Sequence, residues 1–175
     1  MTVEVLKNFY SDRQTIVDAV VRDATHLWKN DIFNDSDIVI PGGYNSYSTI
    51  EAGIPRVNQY HLTSEIAPLA AAVEGATGLT IVQCWGNVEQ SDQWIGRHAH
   101  KNPIVTTIAM YHAQVIRGEL LYFEYVDGVE SLSLAENQLL VFDSLTPHGF
   151  KPRTRSKDKV TVTFELRENE LHSTY

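Results

Sequence analysis

From residue 79 onward the chain breaks into short β-prone stretches separated by turn signals, and this punctuation confines it to a β-sandwich or β-barrel. The stretches are Leu79–Trp85, Ile104–Val115, Glu119–Val126, Leu132–Leu134, Gln138–Phe142 and Val160–Leu166, with Arg117-Gly118 and Asp127-Gly128 as turns. The last one alternates cleanly, as a strand does when its two faces meet different surroundings.

The preceding residues read differently. Ser11 to Asn30 is predicted as an amphipathic helix: Ser11 with Gln14 forms a capping-box pattern, and Ile16, Val17, Val20, Val21, Ala24, Leu27 and Trp28 recur at helical spacing. Asn34 to Pro55 is rich in turn formers and reads as a binding loop or a surface loop, with Ile38-Val39-Ile40 as a short strand inside it. Thr63 to Glu74 is a second predicted helix, capped by Thr63 or Ser64, with Pro68 near its first turn and Gly75 at its end. No repeat or linker divides the 175 residues. The expectation is one α+β domain, 1–175, with a mainly β core at 79–167 and helical support and loop at 1–78.

Composition narrows the function. A net charge of −8, from 14 Lys+Arg against 22 Asp+Glu, disfavours a groove that neutralises nucleic-acid phosphates. The single cysteine, Cys84, excludes an internal disulfide and a cysteine-based zinc site, and its apolar flanks read as a buried small hydrophobe. The N-terminus has no basic-then-apolar leader pattern and no apolar run is long enough for a membrane span, so the expected setting is cytoplasmic.

The chemistry concentrates at Gly96-Arg97-His98-Ala99-His100-Lys101-Asn102. In an extended segment His98 and His100 point the same way and can chelate one ion. His148, between Pro147 and Gly149 near the end of the β region, is placed to join them if a Greek-key or jelly-roll path brings first and last inner strands together. An all-imidazole set suits iron, zinc, copper or nickel and does not choose among them. His26, His61 and His172 read as ordinary core or surface residues, and His112 as lining the pocket or facing solvent.

Taken in order, these segments resemble the double-stranded β-helix core, or jelly roll, of the iron(II)- and 2-oxoglutarate-dependent dioxygenases, most closely the small prolyl-hydroxylase-like members. The likeness rests on Trp85-Gly86-Asn87 ahead of His98-Ala99-His100, on Ile108–Tyr111 with Gly118-Glu119-Leu120, on Glu136–Ser144 leading into His148, and on Lys159–Phe164. It implies iron(II) and 2-oxoglutarate as cofactors, O2 as co-reactant, and oxidation of a C–H bond with release of succinate and CO2, most often as hydroxylation. It further implies that His98 and His148 are the proximal and distal ligands. Lys159 then binds the far carboxylate of 2-oxoglutarate, with Arg153, Arg155 and Lys157 as neighbours on a solvent-facing basic loop. Thr161, Tyr111 and Asn87 are further cosubstrate contacts.

The family usually carries a carboxylate where this chain has His100. His100 then either makes a three-histidine set or lies outside the coordination sphere. A shifted register would instead start the motif at His100 and put Asn102 at the carboxylate position. The substrate is expected to be a small molecule, an amino acid or a peptide side chain, contacted by Tyr44, Tyr47, Arg56 and Arg97. Two rivals remain: a cupin-like three-histidine dioxygenase that does not use 2-oxoglutarate, and a β-barrel binding module without catalysis.

Overall fold

In the computed structural model, which describes residues 2–30, 40, 42–52 and 57–169, the strand that alternates most cleanly in sequence lies between two neighbours in a large sheet. The elements run β1 (Glu4–Lys7), α1 (Arg13–Asp23), β2 (His26–Asn30), β3 (Tyr44–Ser48), α2 (Ala67–Thr77), β4 (Thr80–Glu89) and β5 (Trp94–Ile95). They continue with β6 (Thr107–Gln114), β7 (Leu120–Tyr125), β8 (Gly128–Ser133), β9 (Gln138–Asp143), β10 (His148–Gly149) and β11 (Lys159–Arg167). The large sheet has the order β1-β9-β6-β11-β4-β3-β2 with β5 joined to β3, and a smaller sheet has the order β10-β7-β8.

The two faces of β11 define two cores. Val160, Val162, Phe164 and Leu166 point outward and pack with Ile16, Val20, Leu69 and Val73 of the helices. On the other face a second core, with Ile108, Met110, Leu140 and Phe142 of the large sheet against Leu121 and Phe123 of β7, fills the space between the sheets. Lys159, Thr161, Thr163 and Glu165 have the opposite parity to the outward residues and are all buried, so β11 carries a polar column into the interior. Two antiparallel sheets facing across a core, with helices behind the larger one, make the jelly roll expected from sequence.

Four local expectations are corrected. The first helix stops at Asp23, because His26–Asn30 pairs with Tyr44–Ser48 as β2, so tertiary pairing overrides the helical spacing of Leu27 and Trp28. Its cap is Asp12, whose carboxylate accepts from Thr15 N at 3.4 Å and from Thr15 Oγ1 at 2.7 Å, while Gln14 bonds Asp18 instead of closing a box with Ser11. The second helix begins at Ala67 without a side-chain cap, since Thr63 Oγ1 donates to Tyr60 O within the preceding 3-10 turn; it runs through Gly75 to a left-handed Gly78 (φ 69°). Part of the predicted loop 34–55 is strand β3, while Ile38 and Val39 lie outside the described residues. The 1–78 segment therefore supplies three strands to the large sheet besides its helices.

Helix α1 sits directly on β4 at Gly86, where an added Cβ would lie 2.8 Å from Val20 Cγ1 and 3.2 Å from Thr49 Cγ2. Gly86→Ala is expected to force helix and sheet apart and lower stability by about 1–3 kcal/mol, measured as a shift of the urea midpoint at unchanged slope.

Candidate metal centre

The three histidines singled out in sequence converge. His98 and His148 exchange both backbone hydrogen bonds, His98 N to His148 O at 3.0 Å and His148 N to His98 O at 2.9 Å. His100 N donates to Ser144 O at 2.9 Å, which extends this short antiparallel contact to the next inward residue. The approach needs glycine at 149, since a Cβ there would lie 2.6 Å from the carbonyl carbon of Gly96. Ring centroids are 4.4 Å apart for His98 and His148, 5.2 Å for His98 and His100, and 5.3 Å for His100 and His148. One ring nitrogen from each lies within 4.8 Å of the others. Neighbouring nitrogens each about 2.1 Å from one ion are about 3.0–3.4 Å apart, so the rings must close by about 1–2 Å where they are most separated to bring the set to bonding distance.

Hydrogen bonding orients the rings. His98 Nδ1 donates to Gly96 O at 2.8 Å and His148 Nδ1 to Thr146 O at 2.8 Å, and His100 Nδ1 is 2.7 Å from Glu165 Oε1. A carbonyl only accepts, so Nδ1 of His98 and of His148 carries the proton and leaves Nε2 as the lone-pair nitrogen. Nε2 of His100 and of His148 is buried with no protein partner. Packing adds to this: Trp85 stacks on His100 at 5.8 Å and Phe142 stands edge-on to His148 at 4.8 Å. Burial, then the neighbouring rings, pushes the His98 imidazole down to about 4 and that of His148 well below the ordinary value. Such rings stay neutral, as metal ligands must be.

Beside the histidines is a cavity of about 350 Å³, lined by Trp28, Tyr44, Ile50, Trp85, Ile95, Met110 and Phe150, with Ser46, Ser48, Asn58, Asn87, Thr161 and Thr163 as polar groups. No Lys, Arg, Asp or Glu among the described residues lines it. Asn87, Thr161 and Tyr44 thus border the cavity as well as the histidines, with the Tyr44 ring 5.2 Å from His98. Tyr111 and Tyr47 do not: Tyr111 lies in the outer core with its hydroxyl donating to Asn137 Oδ1 at 2.8 Å, and Tyr47 packs against the same core. Arg97 is held by Glu124 through contacts of 2.6 and 3.0 Å, and Arg56 lies outside the described residues. His112 neither lines the cavity nor faces solvent; it is fully buried on the inner side of β6.

Lys159 has an unexpected setting. Its ammonium is wholly buried, 2.6 Å from Glu89 Oε2 and 3.9 Å from Glu119 Oε1, and 2.8 Å from the centre of the Phe150 ring, which lines the cavity. Burial lowers it to about 8 against the raising effect of the two carboxylates. Arg155, predicted on a solvent-facing loop, is instead buried in the same cluster: it contacts Glu119 at 2.8 and 3.3 Å and donates to Gln90 O at 3.0 Å and Gln93 O at 2.6 Å. The five donors of a guanidinium let it make all four of these contacts, more than the three donors of a lysine could. Arg153 and Lys157 stay at the surface. Sequence reasoning missed Glu165, Thr163 and Phe150; the period of two in β11 is a signal that points to the first two.

No family model and no curated protein matches the sequence. Solved structures do resemble the fold. A prolyl hydroxylase from Trichoplax adhaerens, in complex with a hypoxia inducible factor peptide fragment, is 15% identical with a TM-score of 0.61, over 95% of this chain and 83% of its own. The viral collagen prolyl hydroxylase of Paramecium Bursaria Chlorella virus-1, with 2-oxoglutarate, is 11% identical at a TM-score of 0.61, over 97% of both chains. HygX from Streptomyces hygroscopicus, with nickel and 2-oxoglutarate bound, is 10% identical at a TM-score of 0.65, over 96% of this chain and 83% of its own. The fold is the one these prolyl hydroxylases and HygX share. The double-stranded β-helix expected from sequence is therefore present, and the likeness spans nearly the whole chain. Among the described residues no helix is long and apolar enough to cross a membrane.

Burial of His112 is expected to add to the acid sensitivity of this fold. Burial, then the charge on Lys159, pushes His112 from 6.5 down to about 3. Below 6.5 the unfolded chain therefore binds a proton that the native chain does not, and stability falls as pH falls. The protein is expected to lose about 2 kcal/mol through this residue between pH 6.5 and pH 5. Urea midpoints at the two pH values measure the total loss, and His112→Gln should reduce it by this share while leaving the part that His98 and His148 contribute.

Proposed function

We propose that this protein is an iron(II)- and 2-oxoglutarate-dependent oxygenase whose metal is held by His98, His100 and His148. The observation that carries the reading is the convergence of three imidazoles with Nδ1 engaged, two of them with Nε2 buried and unpartnered. A buried nitrogen without a partner is costly unless it meets a donor or a cation. Imidazole donors fit iron(II), and the fold, shared with a structure of the 2OG-Fe(II) oxygenase family, favours it over the other metals that such ligands accept. When bound, iron(II) with 2-oxoglutarate and O2 supplies oxidation of an unactivated C–H bond coupled to release of succinate and CO2.

This chain's residues supply position and exclusion. The carbonyls of Gly96 and Thr146 fix two ring orientations, and Trp85 and Phe142 prevent rotation of the rings they touch. The aromatic wall of the cavity keeps water from the reacting centre. Asn87 and Thr161 offer hydrogen bonds to a cosubstrate, and Lys159 offers charge for its far carboxylate once Phe150 and Glu89 yield. With an uncharged described lining of about 350 Å³, the substrate is a small molecule or an amino-acid or peptide side chain, hydroxylated beside Tyr44.

Anaerobic mixing with Fe(II) and 2-oxoglutarate is expected to give the visible charge-transfer band of the chelate, and admission of O2 to give succinate. His148→Ala should lose both. A wild type that binds Fe(II) but gives no band would favour the cupin-like three-histidine reading, and one that binds neither would leave a binding module.

The Lys159–Glu89 pair gives a second test. Removing one charge of a buried pair costs about 3–5 kcal/mol of stability. Glu89→Gln should nevertheless bind 2-oxoglutarate several-fold more tightly, because the cosubstrate no longer competes with an internal carboxylate. Lys159→Ala should weaken 2-oxoglutarate and spare iron. Unchanged cosubstrate affinity in both variants would remove Lys159 from the site.

A further inference from the structure

The ligand set proposed above lacks the carboxylate usual for this fold, yet a carboxylate stands one bond further out. Glu165 Oε1 lies 2.7 Å from His100 Nδ1, and each side chain is 7% exposed. His98 and His148 have only backbone carbonyls at the corresponding nitrogen. Glu165 reaches the interior by the regular alternation of β11, which faces Lys159, Thr161, Thr163 and Glu165 the same way. Its second oxygen, Oε2, is buried with no protein partner. Withdrawing a carboxylate from water costs several kcal/mol, and one bond from a neutral imidazole offsets little of that. A dication on the far nitrogen of the same imidazole would supply the balancing charge.

We infer that Glu165 is a positioning residue for the metal centre: it fixes the proton of His100 on Nδ1, aims Nε2 at the ion, and restores through the ring the negative charge that a direct carboxylate ligand would supply. The inference rests on the three-histidine reading. A dication with three neutral imidazoles has a net charge of two; with Glu165 included it falls to one, equal to that of a site with two histidines and a carboxylate. The difference lies in where the charge sits. Delivered through a ring, it strengthens the imidazole as a donor and leaves all three metal positions occupied by nitrogen.

The test uses Co(II) alone as probe, with affinity from titration and ligand geometry from its visible d–d absorption. Glu165→Gln keeps size and polarity and removes the charge. It is expected to bind Co(II) ten- to a hundred-fold more weakly, with a displaced d–d spectrum, while the metal-free variant unfolds cooperatively. A variant that binds Co(II) as tightly as the wild type, or more tightly, with an unchanged spectrum overturns the assignment of Glu165 alone. Wild-type protein that takes up no Co(II) overturns the metal centre and the role of Glu165 together. Should the variant fail to fold, the Zn(II)-loaded wild type gives the answer by proton NMR. The His100 Nδ1 proton is expected well downfield of those of His98 and His148, and one at the same position as theirs overturns the inference.

Discussion

The alternation of β11 is the constraint on which the rest of the molecule depends. Val160, Val162, Phe164 and Leu166 hold the helices to the large sheet, and Lys159, Thr161, Thr163 and Glu165 face the interior. A slip of one residue would exchange the two sets, exposing four apolar side chains to the inner column and driving two charges into the helical core. Pairing on both sides, with β4 and with β6, makes that slip prohibitive. Register in this one strand therefore sets both the stability of the outer core and the identity of the groups beside the histidines.

The histidines depend on a second, shorter contact. His98 and His148 are joined by a reciprocal pair of backbone hydrogen bonds between segments far apart in sequence, and Gly149 permits the approach. Because the main chain makes the connection, the rings inherit their separation from the fold rather than from side-chain flexibility. Hydrogen bonds at Nδ1 and the rings of Trp85 and Phe142 then remove the remaining freedom. A site prepared in this way has little ordering entropy left to lose when it takes a ligand.

Much of this is legible in the sequence, for reasons that also explain what is not. Strands with a period of two can be read locally, so the β core and the shared face of His98 and His100 are visible in the order of the residues alone. The boundary of α1 is not, because Leu27 and Trp28 fit a helical stripe and only pairing with β3 decides against it. Tyr111 shows the cost of lacking a register: it sits between Met110 and His112, and which parity faces inward on β6 follows from its alignment with β11. Arg155 and Glu89 are harder still. Nothing local distinguishes a charge that meets solvent from one that meets its counter-charge through the fold, and both are buried.

The inner column places carboxylates at its two ends, and they bear on different charges. Along β11 the order from one end is Lys159 with Glu89, then Thr161 and Thr163, then Glu165 with His100. At the lysine end the counter-charge is complete: Lys159 and Arg155 face Glu89 and Glu119, so an incoming anion must replace a carboxylate already in contact. At the histidine end it is incomplete, since one oxygen of Glu165 has no partner and the imidazole beside it has a free nitrogen. Electrostatic energy inside a low-dielectric interior falls most where the imbalance is greatest. A cation is therefore drawn to the histidines more strongly than an anion is drawn to Lys159.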